Sequence, residues 1–345
     1  MTKGSAFAGW RAGIYSRRHP MQRSRRGFLR VAAGTLAVPA VSRLARAQGY
    51  PFRPVRLIIG YTPGGSADLT ARLMGQWLSE RLGQQFVVES RPGAGTNLAT
   101  EAVVNAPPDG YTLLLVAPAN AINATLYEKL NHNFLRDIAP VAGINRFPNV
   151  VDVTPSLPIK TVPELIAYAK ANPGKLNMAS SGPGSTIHVS GELFKMMTGI
   201  SMVHVPYRGG APALTDMIAG QVQVMFDNIP TSIEYIRAGR LRGLAVTGTT
   251  RSNLLPDTPT VADFVPGYEA SAWYGLGAPK GTPAEIVNKL NTTVNAILAD
   301  PAVKERFASM GATLITSSPA EFGKYVAEET EKWAKVVKFS GAKPE

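Results

Sequence analysis

Three segments place small hydrogen-bonding residues where a strand ends and a helix begins. They are Tyr61-Thr62-Pro63-Gly64-Gly65-Ser66-Ala67-Asp68, Ser180-Ser181-Gly182-Pro183-Gly184-Ser185-Thr186-Ile187-His188 and Tyr207-Arg208-Gly209-Gly210-Ala211-Pro212. Strand C-termini in an open α/β sheet face a crevice, and the free N–H groups and dipole of a helix start favour an anion there. Glycines, having no Cβ, let a ligand approach the backbone. Any one of these loops is explained as a tight turn with a cap; the three together point to a carboxylate or phosphate site. The candidate binding residues are Tyr61, Thr62, Pro63, Gly64, Gly65, Ser66 and Asp68 in the first loop, Ser180, Ser181, Gly184, Ser185 and His188 in the second, and Tyr207 and Arg208 in the third. Asp227 follows the apolar run Val224-Met225-Phe226, where it either meets the same site or caps the next helix as a turn carboxylate.

Other chemistries lack their residues. Gly64-Gly65-Ser66 has no lysine for a phosphate-binding P-loop, and Gly182-Pro183-Gly184 runs on as Ser-Thr-Ile instead of completing G-x-G-x-x-G, so nucleotides are not expected. Ser185 and His188 form the only sequence-local pairing of a nucleophile with a base, which admits a serine hydrolase as a second reading. No G-x-S-x-G elbow surrounds that serine, and at N-cap and N3 of one helix its hydroxyl is explained more simply as a cap. The helix start disfavours imidazolium, so His188 is expected to be neutral, either at the rim of a pocket or satisfied structurally. His132, His188 and His204 are scattered, and neither a metal nor a cofactor is expected. Trp273 and Tyr274 read as core. The absence of cysteine excludes thiolate catalysis, cysteine-bound zinc and iron–sulfur clusters.

The elements that must position these loops alternate strand and helix, which implies a parallel sheet. Val55 to Gly60 is a short apolar strand; Leu69, Leu73, Trp77, Leu78 and Leu82 then fall at helical spacing until Gly83. Phe86 to Val88 and Tyr111 to Val116 are further strands, with a helix over 96–105 between them. After the proline-spaced segment from Phe147 to Pro158, a second alternation begins. Its helices are expected through Ala171, over 185–197, from Ala211 to Gly220 and between the last two strands, closed by Gly239, and its strands over 175–179, 202–205, 222–226 and 241–246. Ala272 to Ala278 reads as a returning strand, and the rest is mainly helical. Thr161, Thr282 and Ser318 each open a capping box with Glu three residues on, and Asp300-Pro301 caps a helix. The expected organisation is two α/β lobes: residues 48–147 with 270–345, and residues 148–269, joined by two crossings near Pro148 and Ala270.

The 345 residues carry 36 lysines and arginines against 24 acids, a net charge of +12. Ten of those cations and no acid lie in residues 1–47, so the remaining 298 residues are close to neutral at +2. That basicity therefore does not argue for nucleic acid or a membrane surface. Ser24-Arg25-Arg26-Gly27-Phe28-Leu29, an apolar run from Val31 to Val41 and Ala45-Arg46-Ala47 read as a twin-arginine export signal cleaved near Ala47, with translation starting at Met1 or Met21. The apolar run is about half of the roughly 20 residues a membrane span needs. A periplasmic location is the expectation.

An ordered set of motifs supports a resemblance over nearly all of residues 50–345. It comprises Pro63-Gly64-Gly65-Ser66-Ala67-Asp68, Arg91-Pro92-Gly93-Ala94-Gly95, Pro108-Asp109-Gly110-Tyr111-Thr112-Leu113, Ala169 to Leu176, His204-Val205-Pro206-Tyr207-Arg208-Gly209 and Leu255-Pro256-Asp257-Thr258-Pro259-Thr260. The chain resembles the Bug family of extracytoplasmic solute receptors, the binding proteins of tripartite tricarboxylate transporters. The resemblance implies a type II periplasmic-binding-protein fold, no enzymatic activity, a monomer, and a small carboxylate delivered to a large and a small inner-membrane subunit. It further implies that the Tyr61–Asp68 loop holds one carboxylate while the Ser180–His188 loop contributes from the other lobe. Thr96-Asn97 departs from the family's usual glycine and small apolar residue, and Asn120, beside Ala119, falls in a variable pocket loop. A receptor that signals through a partner is a third reading.

Overall fold

The computed structural model describes residues 49–344; the expected export signal lies outside the described residues. Buried, β-branched β1 (Val55–Ile59) leads through a glycine turn into α1 (Ser66–Leu82). Gly83 ends that helix at φ 70°, a left-handed geometry that glycine adopts at little cost. β2 (Phe86–Ser90), α2 (Asn97–Val104), β3 (Thr112–Val116), α3 (Pro118–Leu126) and the single turn α4 (Phe134–Asp137) precede the 16-residue β4 (Ile138–Val153). There follow α5 (Val162–Ala171), β5 (Asn177–Ser180), α6 (Thr186–Thr198), β6 (Val203–Pro206), α7 (Gly210–Ile218), β7 (Val224–Asn228), α8 (Ile229–Arg237) and β8 (Arg242–Val246). The chain closes with β9 (Ser271–Pro279), α9 (Ala284–Ala299), α10 (Pro301–Ala308), β10 (Thr313–Leu314) and α11 (Pro319–Ser340).

The sheet runs β2-β1-β3-β9-β4-β7-β5-β6, with β8 and β10 also paired to β4. β1 lies parallel to β2 and β3; β9 then pairs antiparallel to β3 and to β4 as far as Pro148. From Asn149 onward β4 changes partners, pairing antiparallel with β7 and β8, while β5 lies parallel to β7 and β6. One long strand therefore joins two sheet halves. This strand was not expected, because Pro140, Gly143 and Pro148 interrupt its apolar run; the register slips by a residue at Pro140/Ala142 and at Gly143/Asn145 to accommodate them.

Apolar burial follows the two halves. Leu57, Leu113 and Leu276 pack with Met74 of α1, Val294 of α9 and Phe307 of α10; Val151, Met178 and Phe226 pack with Leu165 of α5 and Phe194 of α6. α11 reaches both regions, placing Phe322 and Val326 beside Ile58 and Trp273, and Trp333, Val336 and Val337 in the α5–α6 core. Of the expected capping boxes, Ser318 makes both reciprocal bonds and Asp300 caps α10 through Ala302 N. Thr161 accepts from Glu164 N, but Glu164 turns to Lys160 N. Thr282 makes no cap at all: its hydroxyl donates to Pro279 O at 2.7 Å, and α9 starts after Pro283.

Candidate functional site

Five helix starts border one small cavity of ≈ 20 Å³. Its walls include Gly65, Ser66 and Ala67 at α1, Pro118 at α3, Ser185, Thr186 and Ile187 at α6, Gly210 at α7, and Asn228 with Thr231 at α8. Each helix start exposes N–H groups without intrahelical partners and carries roughly half a positive charge. The sequence pointed to three of the five through their glycine loops and to α8 through Asp227; the helix α3 was missed. No lysine or arginine lines this cavity. A wider cavity of ≈ 960 Å³ opens beside it, sharing Tyr61 and Ser181 and bounded by Thr62, residues 92–96, Tyr207 and Arg208.

The first loop is braced from within and against the third. Asp68 is buried, and its Oδ2 accepts from Gly64 N at 3.0 Å and from Arg72 Nε at 2.9 Å, which folds the loop over the start of α1. Thr62 N donates to Arg208 O at 3.2 Å, and Gly209 lies so close that a Cβ there would stand 2.1 Å from Thr62 Oγ1. Only glycine permits that approach. Tyr207 hydrogen-bonds Asp216 at 2.7 Å, and partial burial together with that carboxylate pushes its hydroxyl up to about 12.

A buried polar chain ties the floor together across the sheet. Ser66 Oγ shares hydrogen bonds with Tyr274 OH at 2.7 Å and with Asn228 Oδ1; Asn228 Nδ2 donates to Asn149 Oδ1 at 2.6 Å, and Asn149 Nδ2 donates to Ser190 Oγ at 3.1 Å. Tyr274 packs in the core, as expected, yet its ring also reaches the cavity wall; burial raises its phenol far above the ordinary value. Trp273 stays in the core. Asp227 is 1 % exposed: Oδ2 accepts from Thr231 Oγ1 at 2.5 Å, while Oδ1 has no hydrogen-bond partner. Burial pushes this carboxyl up to about 7 against the opposing Thr231 and Asn228 hydrogen bonds.

The Ser180–His188 loop is held from behind. Ser185 Oγ donates to Gly182 O at 2.7 Å and accepts from His188 N at 3.2 Å, so it caps α6. His188 Nδ1 accepts from Gly184 N at 3.2 Å, not from a hydroxyl, and the nucleophile–base pairing of the hydrolase reading is not assembled. His188 stacks on His204 at 3.9 Å between ring centroids, and His204 Nε2 hydrogen-bonds Ser180 at 2.6 Å. Burial, then the neighbouring His204, holds His188 well below 6.5; burial, then Lys195, lowers His204 to about 4. The unfolded chain takes up the His204 proton near pH 6.5 whereas the folded chain refuses it until about pH 4, and His188 is held low in the same direction. The His204 contribution to stability is therefore full above pH 6.5 and declines as the pH falls through that window, by about 1.4 kcal/mol per pH unit, while the raised carboxyls of Asp227 and Asp152 contribute in the opposite sense. Lowering the pH from 7 to about 4.5 should lower the urea midpoint of the wild type relative to that of His204→Gln. A variant that matches the wild type over that range contradicts this assignment.

Among the expected residues, Tyr61, Gly65, Ser66, Ser181, Ser185 and Asp227 line the inner cavity, while Thr62, Tyr207 and Arg208 line the outer one. Pro63, Gly64, Asp68, Ser180, Gly184 and His188 shape the loops from outside both linings. Asn120 is likewise not brought to either cavity: its Oδ1 accepts from Ala117 N at 2.8 Å and its Nδ2 donates to Thr100 Oγ1 at 2.8 Å, closing the start of α3. The Thr96 departure carries strain, at φ 79°, and Thr96 packs directly on Gly60, where a Cβ would fall 2.4 Å from its own. Among the described residues no group of three or more His, Cys, Asp or Glu could hold a metal, and no helix is long and apolar enough to cross a membrane.

Two α/β sheet halves sharing β4, with helix starts gathered on one cavity, define a solute-binding protein of the type II periplasmic-binding-protein fold. Residues 70–341 match the profile of the tripartite tricarboxylate transporter family receptor, and the chain belongs to that family. Protein BugT of Bordetella pertussis is 37 % identical over 311 residues, covering 89 % of this chain and 95 % of that protein. The solved R. palustris protein with adipate is 42 % identical, with a TM-score of 0.82 over 85 % of this chain and 98 % of that one. MatC from Rhodopseudomonas palustris, with bound malate, is 32 % identical, with a TM-score of 0.80 over 84 % of this chain and all of that one (100 %). The motif-level resemblance to Bug receptors is borne out, and the homologues are receptors, not enzymes.

Proposed function

We propose that this protein is a periplasmic receptor that captures a small organic carboxylate and delivers it to the large and small inner-membrane subunits of a tripartite tricarboxylate-type transporter. The observation that carries the reading is the meeting of five helix starts on a cavity without a lysine or arginine in its wall. Backbone N–H groups and helix dipoles replace the water around an anion without an arginine clamp. Adipate and malate, present in two solved relatives, are small dicarboxylates.

Capture requires movement. A cavity of ≈ 20 Å³ has room for about one water molecule, so an organic acid enters only when the walls part. The two proposed lobes, residues 48–147 with 270–345 and residues 148–269, would separate about the crossings near Pro148 and Ala270. There Thr247 N donates to Asn149 O at 2.8 Å and Ala270 N donates to Thr247 O at 3.1 Å, a compact joint between the sheet halves. The 61–68 and 207–212 loops then meet over the bound acid. After unfolding and refolding to strip any bound acid, the protein should gain thermal stability from members of a panel of di- and tricarboxylates, amino acids and aromatic acids. Ligand at about 100 times Kd adds roughly 2.7 kcal/mol. No shift with any acid would remove the proposal.

A further inference from the structure

We propose that Asp227 selects the ligand: its free Oδ1 accepts a hydrogen bond from a hydroxyl or ammonium group carried beside the bound carboxylate, so the preferred acids are 2-hydroxy or 2-amino acids. This inference rests on the carboxylate reading above. It begins from an unsatisfied group, since a buried oxygen without a hydrogen-bond partner is costly and the other oxygen of the same carboxyl is already committed to Thr231. Asp227 lines the inner cavity. A Cβ added to Gly210, the first residue of α7, would lie 3.8 Å from Oδ1, so the free oxygen looks onto the start of one of the converging helices.

The charges around it determine what it can accept. No lysine or arginine lines the cavity, and the ionisable groups electrostatically coupled to Asp227 are the phenol of Tyr274 on β9 and the carboxyl of Asp152 on β4. Asp152 is fully buried with neither oxygen hydrogen-bonded, and burial, reinforced by the charge of Asp227, holds it protonated well above the carboxylate range. An ionised Asp227 repels a second carboxylate placed against it and attracts a donor. The helix starts and Asp227 thus ask for opposite things of one small molecule: an anionic end, and a donor next to it. Burial raises Asp227 to about 7, so near neutral pH it is ionised in a large share of molecules, and a bound donor increases that share.

Calorimetric titration at pH 8 of the refolded mature protein with acids matched in length tests this: malate and aspartate against succinate, 2-hydroxyglutarate and glutamate against glutarate. At least one substituted acid should bind ten or more times tighter than its unsubstituted partner, and Asp227→Ala should collapse that ratio to within about threefold. Asp227→Asn, which keeps the shape and a neutral acceptor, separates the donors: a hydroxyl acid retains most of its advantage, whereas an amino acid loses it. Unsubstituted acids binding as tightly as both substituted partners in the wild type would overturn the inference and leave carboxylate capture standing. So would affinity that falls as the pH rises through 7, the mark of a protonated Asp227 donating to the carboxylate itself. If no acid of any kind binds, both readings fall.

Discussion

Replacing Gly209 with alanine is expected to weaken carboxylate binding by roughly fivefold or more while the protein remains folded. Gly209 sits at φ 161°, an extended conformation open to any residue, so the constraint on it is space alone. An added methyl group would stand 2.1 Å from Thr62 Oγ1 and 3.2 Å from Thr62 N, where the two site loops exchange a backbone hydrogen bond. The loops must move apart to admit it. Overpacking of this kind costs about 1–3 kcal/mol, which corresponds to roughly a five- to 150-fold loss if the contact belongs to the ligand-bound form. Titration of an acid that binds the wild type measures the loss, and Thr62→Ala in the same chain should restore part of it by removing the hydroxyl. Wild-type affinity in Gly209→Ala would show that the loops need not meet for capture.

The second large effect concerns stability. Glu329 Oε2 accepts hydrogen bonds from both Trp273 Nε1 and Trp333 Nε1 at 2.9 Å; the first joins α11 to β9, and the second holds Trp333, on α11 itself, where it packs in the α5–α6 core. Both indoles are fully buried. Glu329→Ala leaves two buried N–H donors without a partner, each costing about 1–3 kcal/mol, so the expected loss is about 4 kcal/mol. That corresponds to a fall in Tm on the order of 10 °C for a domain of this size. Glu329→Gln, which still offers one acceptor oxygen, should lose less than half as much. Equal melting of all three proteins would show that this buried junction contributes nothing.

The elements that proved legible are those whose information is local. Val55–Ile59 and Leu69–Leu82 declare a strand and a helix by their own periodicity, and the glycine turns between such pairs announced three of the helix starts at the site. β4 was hidden because its proline-interrupted, register-shifted run matches no period-two template, and it is the strand that unites the two halves of the sheet. α3 was hidden by its composition: Pro118-Ala119-Asn120-Ala121-Ile122-Asn123-Ala124 lacks the charged face of a surface helix because nearly all of it is buried. The floor of the cavity is non-local in a stronger sense. Ser66, Asn228 and Tyr274 meet across 162 and 208 positions, and no spacing rule relates them. His188 and Asn120 carried the right chemistry in the right stretch of chain, but their polar atoms are spent on holding loops. A polar residue near a site is informative only once its hydrogen bonds are known.

The central claim, that helix starts hold the carboxylate group itself, is tested most directly by comparing an acid with its neutral methyl ester in the thermal-shift assay on refolded protein. If the account is right, an acid at about 100 times its Kd raises stability by roughly 2.7 kcal/mol, and the ester at the same concentration gives almost none. An ester that stabilises the protein as strongly as its acid, or a full acid panel that leaves the melting curve unmoved, would contradict it.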